Sequence, residues 1–225
     1  MVLNDVIIYV FAPHLESEDE NISYYYDFTQ SIAEYTKIFA ELNVEWKWQP
    51  VTMQSFNQVI DDIVLSKNTT TKTPVILNLC DGDEINGTPG VSVVKKLEEA
   101  NLIYTGSEEY FYTITTSKIP MKQAFDKALV PTAKWDKILS KEDNIDHLFE
   151  TLGASVILKP SVSGGSMGVG IKNVVNNKEA LKEQLCNMFA GYRGWDLSID
   201  GIIAKSFITS LKDKLTIKFF HGHMT

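Results

Sequence analysis

Cysteine is scarce: the 225 residues hold two, Cys80 and Cys186. They stand in unrelated settings, with no CxxC pair and no Cys/His cluster, which excludes a disulfide framework and a cysteine zinc site. Cys186 falls on an apolar helical face and is expected in the core. No apolar run approaches the ~20 residues of a membrane-spanning helix. Met1–Phe11 lacks the basic start of a signal peptide and reads as a first strand. No membrane association is expected, and the chain is placed in the cytoplasm. Repeats and low-complexity segments are absent. So are the Gly-Lys-Ser/Thr ending of a Walker loop and the spacing of a dinucleotide fingerprint, which leaves little room for a nicotinamide-dependent oxidoreductase. The net charge of −8 argues against nucleic-acid binding.

What is present is uneven. Residues 1–154 carry 12 Lys/Arg and 24 Asp/Glu, whereas residues 155–225 carry 9 and 5. The basic portion holds the most informative stretch, Val156–Val169, VILKPSVSGGSMGV. An apolar strand-like run delivers Lys159. Pro160 follows, and then a loop in which Gly164, Gly165 and Gly168 alternate with Ser163, Ser166 and Met167. Glycines let backbone N–H groups approach an anion, and lysine and serine add donors. The combination fits a polyphosphate clamp, and it equally fits a Gly/Ser turn after a buried strand.

Along the chain, strand-like runs alternate with helical spacing up to residue 104: Val6–Phe11, Phe28–Leu42, Val44–Trp48, Phe56–Val64, Pro74–Leu79, Val91–Ala100 and Leu102–Tyr104. This order predicts a mostly parallel sheet covered on both faces, with ligands beyond the carboxyl ends of its strands. Asp81-Gly82 and Gly106-Ser107 fall there. After Lys118 the pattern becomes a small α+β unit with antiparallel strands: a helix at Pro120–Leu129, strands at Ala133–Leu139, Ser155–Lys159 and Gly168–Val174, a helix at Lys178–Phe189, and strands at Ile202–Ile208 and Lys214–Phe220.

Lys159-Pro160 with Ser163–Gly168 resembles the phosphate loop of the ATP-grasp ligases, in particular the D-alanine–D-alanine ligase-like branch. Asn78, Gly82, Leu97-Glu98, Tyr104-Thr105-Gly106-Ser107 and Lys118 resemble a second segment of that branch. The helix at Met121–Leu129, Val130-Pro131 and Trp135 follow in the same order. The resemblance covers roughly residues 74 to 220. It implies an N-terminal α/β domain over 1–117 and a central ATP-grasp subdomain over 118–216, with 217–225 opening an incomplete third domain. It implies ATP as ligand, with Lys118 and Lys159 on the phosphates, Ser163–Met167 as a lid, and Ser166 donating near the transferred phosphate. Ile203–Ile208 resembles the strand against which adenine rests, where Lys205 and Ser206 replace the usual acidic residues ahead of Phe207 and Ile208. The family's ribose-binding glutamate is replaced at Lys214.

Asp81 and Gly82 fall where the family positions its first substrate, an amino-acid-like molecule, and Asp83 and Glu84 add negative charge suited to an amine. The same Asp-Gly also fits an ordinary turn. His221 and His223 form an H-x-H pair with no third ligand in view, so no metal site is assigned. The family's late carboxylates that hold Mg2+ are not found before Thr225, which suggests a fragment that is inactive alone. The expected function is an ATP-dependent carboxylate–amine ligase working through an acyl phosphate. The alternative is a non-catalytic nucleotide-binding or regulatory module. A homodimer is a further expectation of the same reading.

Overall fold

Continuous apolar runs of four to eight residues have nowhere to lie except inside a sheet covered on both sides, and the first part of the chain is built around one. The computed structural model describes residues 5–16, 26–164, 166–192 and 195–207. Contacts divide the chain into two units, Met1–Thr116 with Arg193–Trp195, and Ser117–Tyr192 with Asp196–Thr225.

The first unit holds β1 (Val6–Pro13), α1 (Thr29–Glu41), β2 (Glu45–Val51), α2 (Phe56–Ser66), β3 (Thr73–Asn78), α3 (Val91–Glu99), β4 (Ile103–Tyr104) and α4 (Glu109–Thr115). Its sheet is wholly parallel, in the order β2-β1-β3-β4. Side chains alternate along β1. Ile7, Tyr9 and Phe11 pack with Phe56, Ile60 and Ile63 of α2 and Val93 and Leu97 of α3. Val6 and Val10 join Phe39 of α1 and Val44 on the other side. Helices therefore cover both faces, as expected from the sequence. The helix α4 is an addition: its Tyr-Phe-Tyr-Thr-Ile-Thr run is β-prone in composition, and none of its residues is buried.

The second unit holds α5 (Lys118–Lys127), β5 (Trp135–Ile138), α6 (Leu148–Leu152), β6 (Val156–Pro160), β7 (Val174–Val175), α7 (Lys178–Phe189) and β8 (Ile202–Ser206). Its sheet is antiparallel, in the order β5-β8-β6-β7. One face, with Ile138, Val156, Leu158, Val175, Ile202 and Ala204, packs on Leu148 and Leu152 of α6 and Leu181, Leu185 and Met188 of α7. The architecture is α/β overall, a parallel sheet followed by a small α+β unit.

Two expectations are corrected. Gly168–Val174 is not a strand. Gly168 takes a left-handed φ of 69°, Ile171–Asn173 forms a 3-10 turn, and only Val174–Val175 pairs with β6. Cys186 is exposed rather than in the core. The buried stripe of α7 runs through residues 181, 185 and 188, and residue 186 lies about 100° around the helix from 185. Gly165, Ile208, the strand expected over Lys214–Phe220, His221, His223 and the segment 217–225 lie outside the described residues.

Candidate functional site

Sequence places Lys159 at the end of a run that must be buried, and the fold uses that run as the inner strand β6, between β8 and β7. Val156 and Leu158 are fully buried on the core face. Alternation turns Ile157 and Lys159 to the other face, where Lys159 is half-buried. After Pro160 the chain enters Ser161, also fully buried, and Val162.

The start of α5 docks on this turn. The Lys118 backbone N–H donates to Ser161 O at 2.8 Å, and the Ser117 and Ser161 hydroxyls bond each other at 2.8 Å. The Lys118 Nζ donates to Ser163 O at 3.0 Å, Ser163 Oγ at 3.3 Å and Ser161 O at 3.3 Å. The two lysines singled out from sequence are thus brought to one place, with Ser163 between Lys118 and the glycines. Burial pushes the Lys118 ammonium down to about 8, and the charge of Lys159 adds to that effect. Desolvated, mutually repelling ammonium groups favour an anion.

Beyond Ser163 the loop turns tightly. Met167 N donates to Gly164 O at 2.9 Å, and Val169 N donates to Ser166 O at 3.0 Å. Gly164 and Ser166 are exposed, and Met167 is half-buried. Ser166 holds a φ of 62°, a left-handed conformation unusual for a residue with a Cβ. A Cβ on Gly168 would approach Leu197 Cδ1 to 2.5 Å, so this position requires glycine both for conformation and for space.

One residue here escaped the sequence reading. Asn173 is buried, and its amide donates to Leu158 O at 3.1 Å and Gly168 O at 3.0 Å while accepting from Gly170 N at 2.8 Å. It ties the far end of the glycine loop to the strand that carries Lys159. Its only signal in the sequence is a polar residue before two valines. Asn173→Ala removes a bond from the buried Leu158 carbonyl and from the part-buried Gly168 and Gly170 groups, and is expected to cost about 1–3 kcal/mol. Chemical denaturation checks this, and an unchanged midpoint would remove the strut role.

Lys205 and Phe207 come from β8 and the residue after it. Lys205 is half-buried, and its pKa is pushed down by burial and by Lys159. Phe207 is partly exposed and its N–H donates to Ser155 O at 2.9 Å.

Asp81 and Gly82 stand in the first unit, just past the carboxyl end of β3. Asp81 is exposed. Gly82 is a structural glycine: its N–H donates to Pro89 O at 2.9 Å, and a Cβ would come within 2.2 Å of Thr88 O. Near it, Asn78 accepts from Cys80 N at 3.1 Å, and its amide reaches the Tyr112 hydroxyl at 3.4 Å. The Tyr26 hydroxyl bonds Thr88 Oγ1 at 2.6 Å. Burial first, and the charge of Asp81 among the smaller causes, raise the pKa of both phenols. Asp83 and Glu84 do not offer free carboxylates. Asp83 binds Asn86, and Glu84 accepts from Gly90 N, Ser92 N and Ser92 Oγ at the start of α3. The Tyr104–Ser107 turn is a lock, with Thr105 bonding β3 through both its N–H and its hydroxyl.

No family model matches the chain. The D-alanine–D-alanine ligase of Acinetobacter baumannii is 36% identical over 73 residues, which are 32% of this chain and 23% of that enzyme. The crystal structure of the D-alanine–D-alanine ligase from Bacillus anthracis superposes with a TM-score of 0.59 at 21% identity, covering 91% of this chain and 58% of that one. The D-alanyl-alanine synthetase A of Vibrio cholerae gives 0.60 at 13% identity, covering 92% and 60%. The aligned stretch is thus about a quarter of the curated relative's length, and the chain spans about three-fifths of the solved structures. The chain has the fold of these ATP-grasp proteins, and in sequence it resembles the D-alanine–D-alanine ligase branch of the ATP-grasp ligases.

Proposed function

We propose that the protein binds ATP at the Lys118–Lys159 clamp and acts as a carboxylate–amine ligase through an acyl phosphate. The observation that carries the reading is the convergence of Lys118, Lys159 and Ser163 at the foot of the glycine loop, with no carboxylate among the described residues within 4.0 Å of either ammonium. The likeness to D-alanine–D-alanine ligases supports it, as does the fold shared with the Bacillus anthracis enzyme solved with ATP. The lysines and the Ser163 and Ser166 hydroxyls face charge that spreads over a transferred phosphoryl group, and fixed positive charge lowers the barrier to that transfer. The carboxylate substrate then attacks the γ-phosphorus, the nucleoside diphosphate leaves, and an amine displaces phosphate from the acyl phosphate. The loop over Ser163–Met167 excludes water from that intermediate. By the resemblance to the ligases, Asp81 and Gly82 are assigned to the amino-acid-like substrate.

The described residues contain no group of three His, Cys, Asp or Glu side chains able to hold a metal ion. Lysines line the clamp itself, so these residues do not form a Mg2+ site, and no step is assigned to one.

The test is amine-dependent release of phosphate from ATP by the protein expressed from its full reading frame, first with D-alanine. ATP binding without such release, under every amino acid tried, would favour a nucleotide-binding module, the reading that Lys205 on β8 supports. Binding should also respond to pH. Free Lys118 loses its proton near 8, whereas a bound phosphate holds the ammonium form. ATP affinity is therefore expected to fall as pH rises above 8, with proton uptake on binding up to the ordinary lysine range. Calorimetry at pH 9 in two buffers of different ionisation heat measures that uptake, and a value of zero would contradict the assignment of Lys118.

A further inference from the structure

The strand β2 is an edge of the parallel sheet, and among the described residues it pairs with β1 alone. Its backbone groups alternate between the two sides. The Val51 carbonyl accepts from His14 N at 2.8 Å, so Val51 turns its backbone toward β1. Gln49, Lys47 and Glu45 do the same at every second residue. Trp46, Trp48 and Pro50 therefore turn theirs away from the sheet. Pro50 has no N–H to offer, and its carbonyl accepts from the Gln49 side chain at 3.0 Å. Trp46 and Trp48 are left with outward N–H and C=O groups that no described strand takes up.

The side chains of β2 are sorted as well. Trp46 and Trp48 lie on the side of α1, where their rings meet those of Phe28, Tyr35 and Phe39 at 5.4–6.4 Å between centroids. Both tryptophans are half-buried, and on α1 Ile38 and Leu42 are 47% and 48% exposed. Glu45 and Lys47 lie on the opposite side. Lys47 stands over the Tyr9 ring at 5.6 Å, and Glu45 bonds Lys72 through Oε2 at 2.8 Å, leaving Oε1 free among the described residues.

An unpaired edge of this kind is a template for another strand. Across an antiparallel pair, opposite charges stabilise and like charges destabilise. When β2 pairs with its own copy, the residue on the two-fold axis sets the register. Glu45 on the axis would set Glu45 against Glu45, and Lys47 would set Lys47 against Lys47. Trp48 on the axis would set Trp46 against Pro50, which has no N–H. With Trp46 on the axis, each Glu45 faces a Lys47, the two Trp46 residues exchange backbone bonds, and Trp48 N–H faces the Val44 carbonyl.

We propose that β2 pairs with β2 of a second copy of this chain, antiparallel and centred on Trp46, so that the two four-stranded sheets join into one. The occupant is a second copy because the charge order is its own complement: Glu-Trp-Lys reversed is Lys-Trp-Glu. An interface of two-fold symmetry requires such self-complementarity. The axis stands normal to the sheet, so both copies of α1 fall on one face and flank the paired tryptophans. This surface belongs to the first unit and does not rest on the nucleotide reading.

Sedimentation velocity on the protein expressed from its full reading frame tests the register. The wild type is expected to be a dimer at micromolar concentration, and Glu45→Lys and Lys47→Glu are each expected to be monomers. Both positions are exposed, and losing the Glu45–Lys72 surface pair costs little, so both variants should keep the circular dichroism of the wild type. An equimolar mixture of the two should dimerise, at least about tenfold more tightly than either alone, because every lysine then faces a glutamate across the axis. The double exchange Glu45→Lys/Lys47→Glu should dimerise as the wild type does. A monomeric wild type overturns the proposal. Dimers that persist in both single variants overturn it too, by placing the interface elsewhere, as does a mixture or a double exchange that stays monomeric.

Discussion

Lys159→Ala is expected to weaken ATP binding by at least about 1.5 kcal/mol, roughly tenfold, the scale of a lost charge-assisted hydrogen bond. The variant also removes a repulsion. Lys159 contributes to the depressed pKa of both Lys118 and Lys205, so both should titrate higher in its absence. Lys118 then stays charged further above pH 8, and the fall in ATP affinity with rising pH should begin later. The two readouts separate a phosphate ligand from a structural lysine. A merely structural Lys159 would move stability and leave nucleotide titration alone, and unchanged titration with ATP would sink the clamp.

Leu158→Ala is expected to have the largest effect on stability. Leu158 is fully buried on β6 within the core formed with α6 and α7. Removing a buried leucine side chain typically costs about 2–5 kcal/mol through lost transfer energy and the cavity left behind. That is a large fraction of the ~5–15 kcal/mol that holds a domain together. The same strand presents Lys159, and Leu158 O is one of the carbonyls bonded by Asn173. ATP affinity should therefore drop with the folded fraction and recover at low temperature or with stabilising salts. Leu158→Met, which conserves volume, should cost less than about 1.5 kcal/mol. A midpoint in urea for Leu158→Ala equal to that of the wild type would mean that β6 does not hold the core as described.

Where the sequence spoke clearly, it did so through burial. Val6–Phe11 and Val156–Leu158 leave no polar face, so they had to be inner strands, and the lysine following the second run had to emerge at a strand end. The loop beyond Gly168 was misread because valines and an isoleucine suggest a strand. The backbone there is set instead by a left-handed glycine and by Asn173, whose side chain takes up the hydrogen bonds that a ladder would have used. The acidic run at Asp83-Glu84 looked like free charge. Capping of α3 by Glu84 depends on a turn whose positive φ at Glu84 and close glycine approach no local pattern announces. Lys122, buried on α5, gave no sign at all, since a lysine on a helix is ordinarily solvated. Its burial follows from what packs around it rather than from its neighbours in sequence.

The placement of the two thiols has a practical outcome. Cys80 is buried, and burial and the nearby Asp81 charge push its thiol up, so it stays protonated and out of reach. Cys186 is exposed on α7. That helix lies against the apolar side of the second sheet, with the sheet itself standing between it and the lysines. A maleimide dye should therefore attach once per copy of this folded 225-residue chain, at Cys186, and leave the cationic face open. The unaltered 225-residue chain thus offers a fluorescence or single-molecule handle for following ligand capture, with neither of its cysteines in need of replacement.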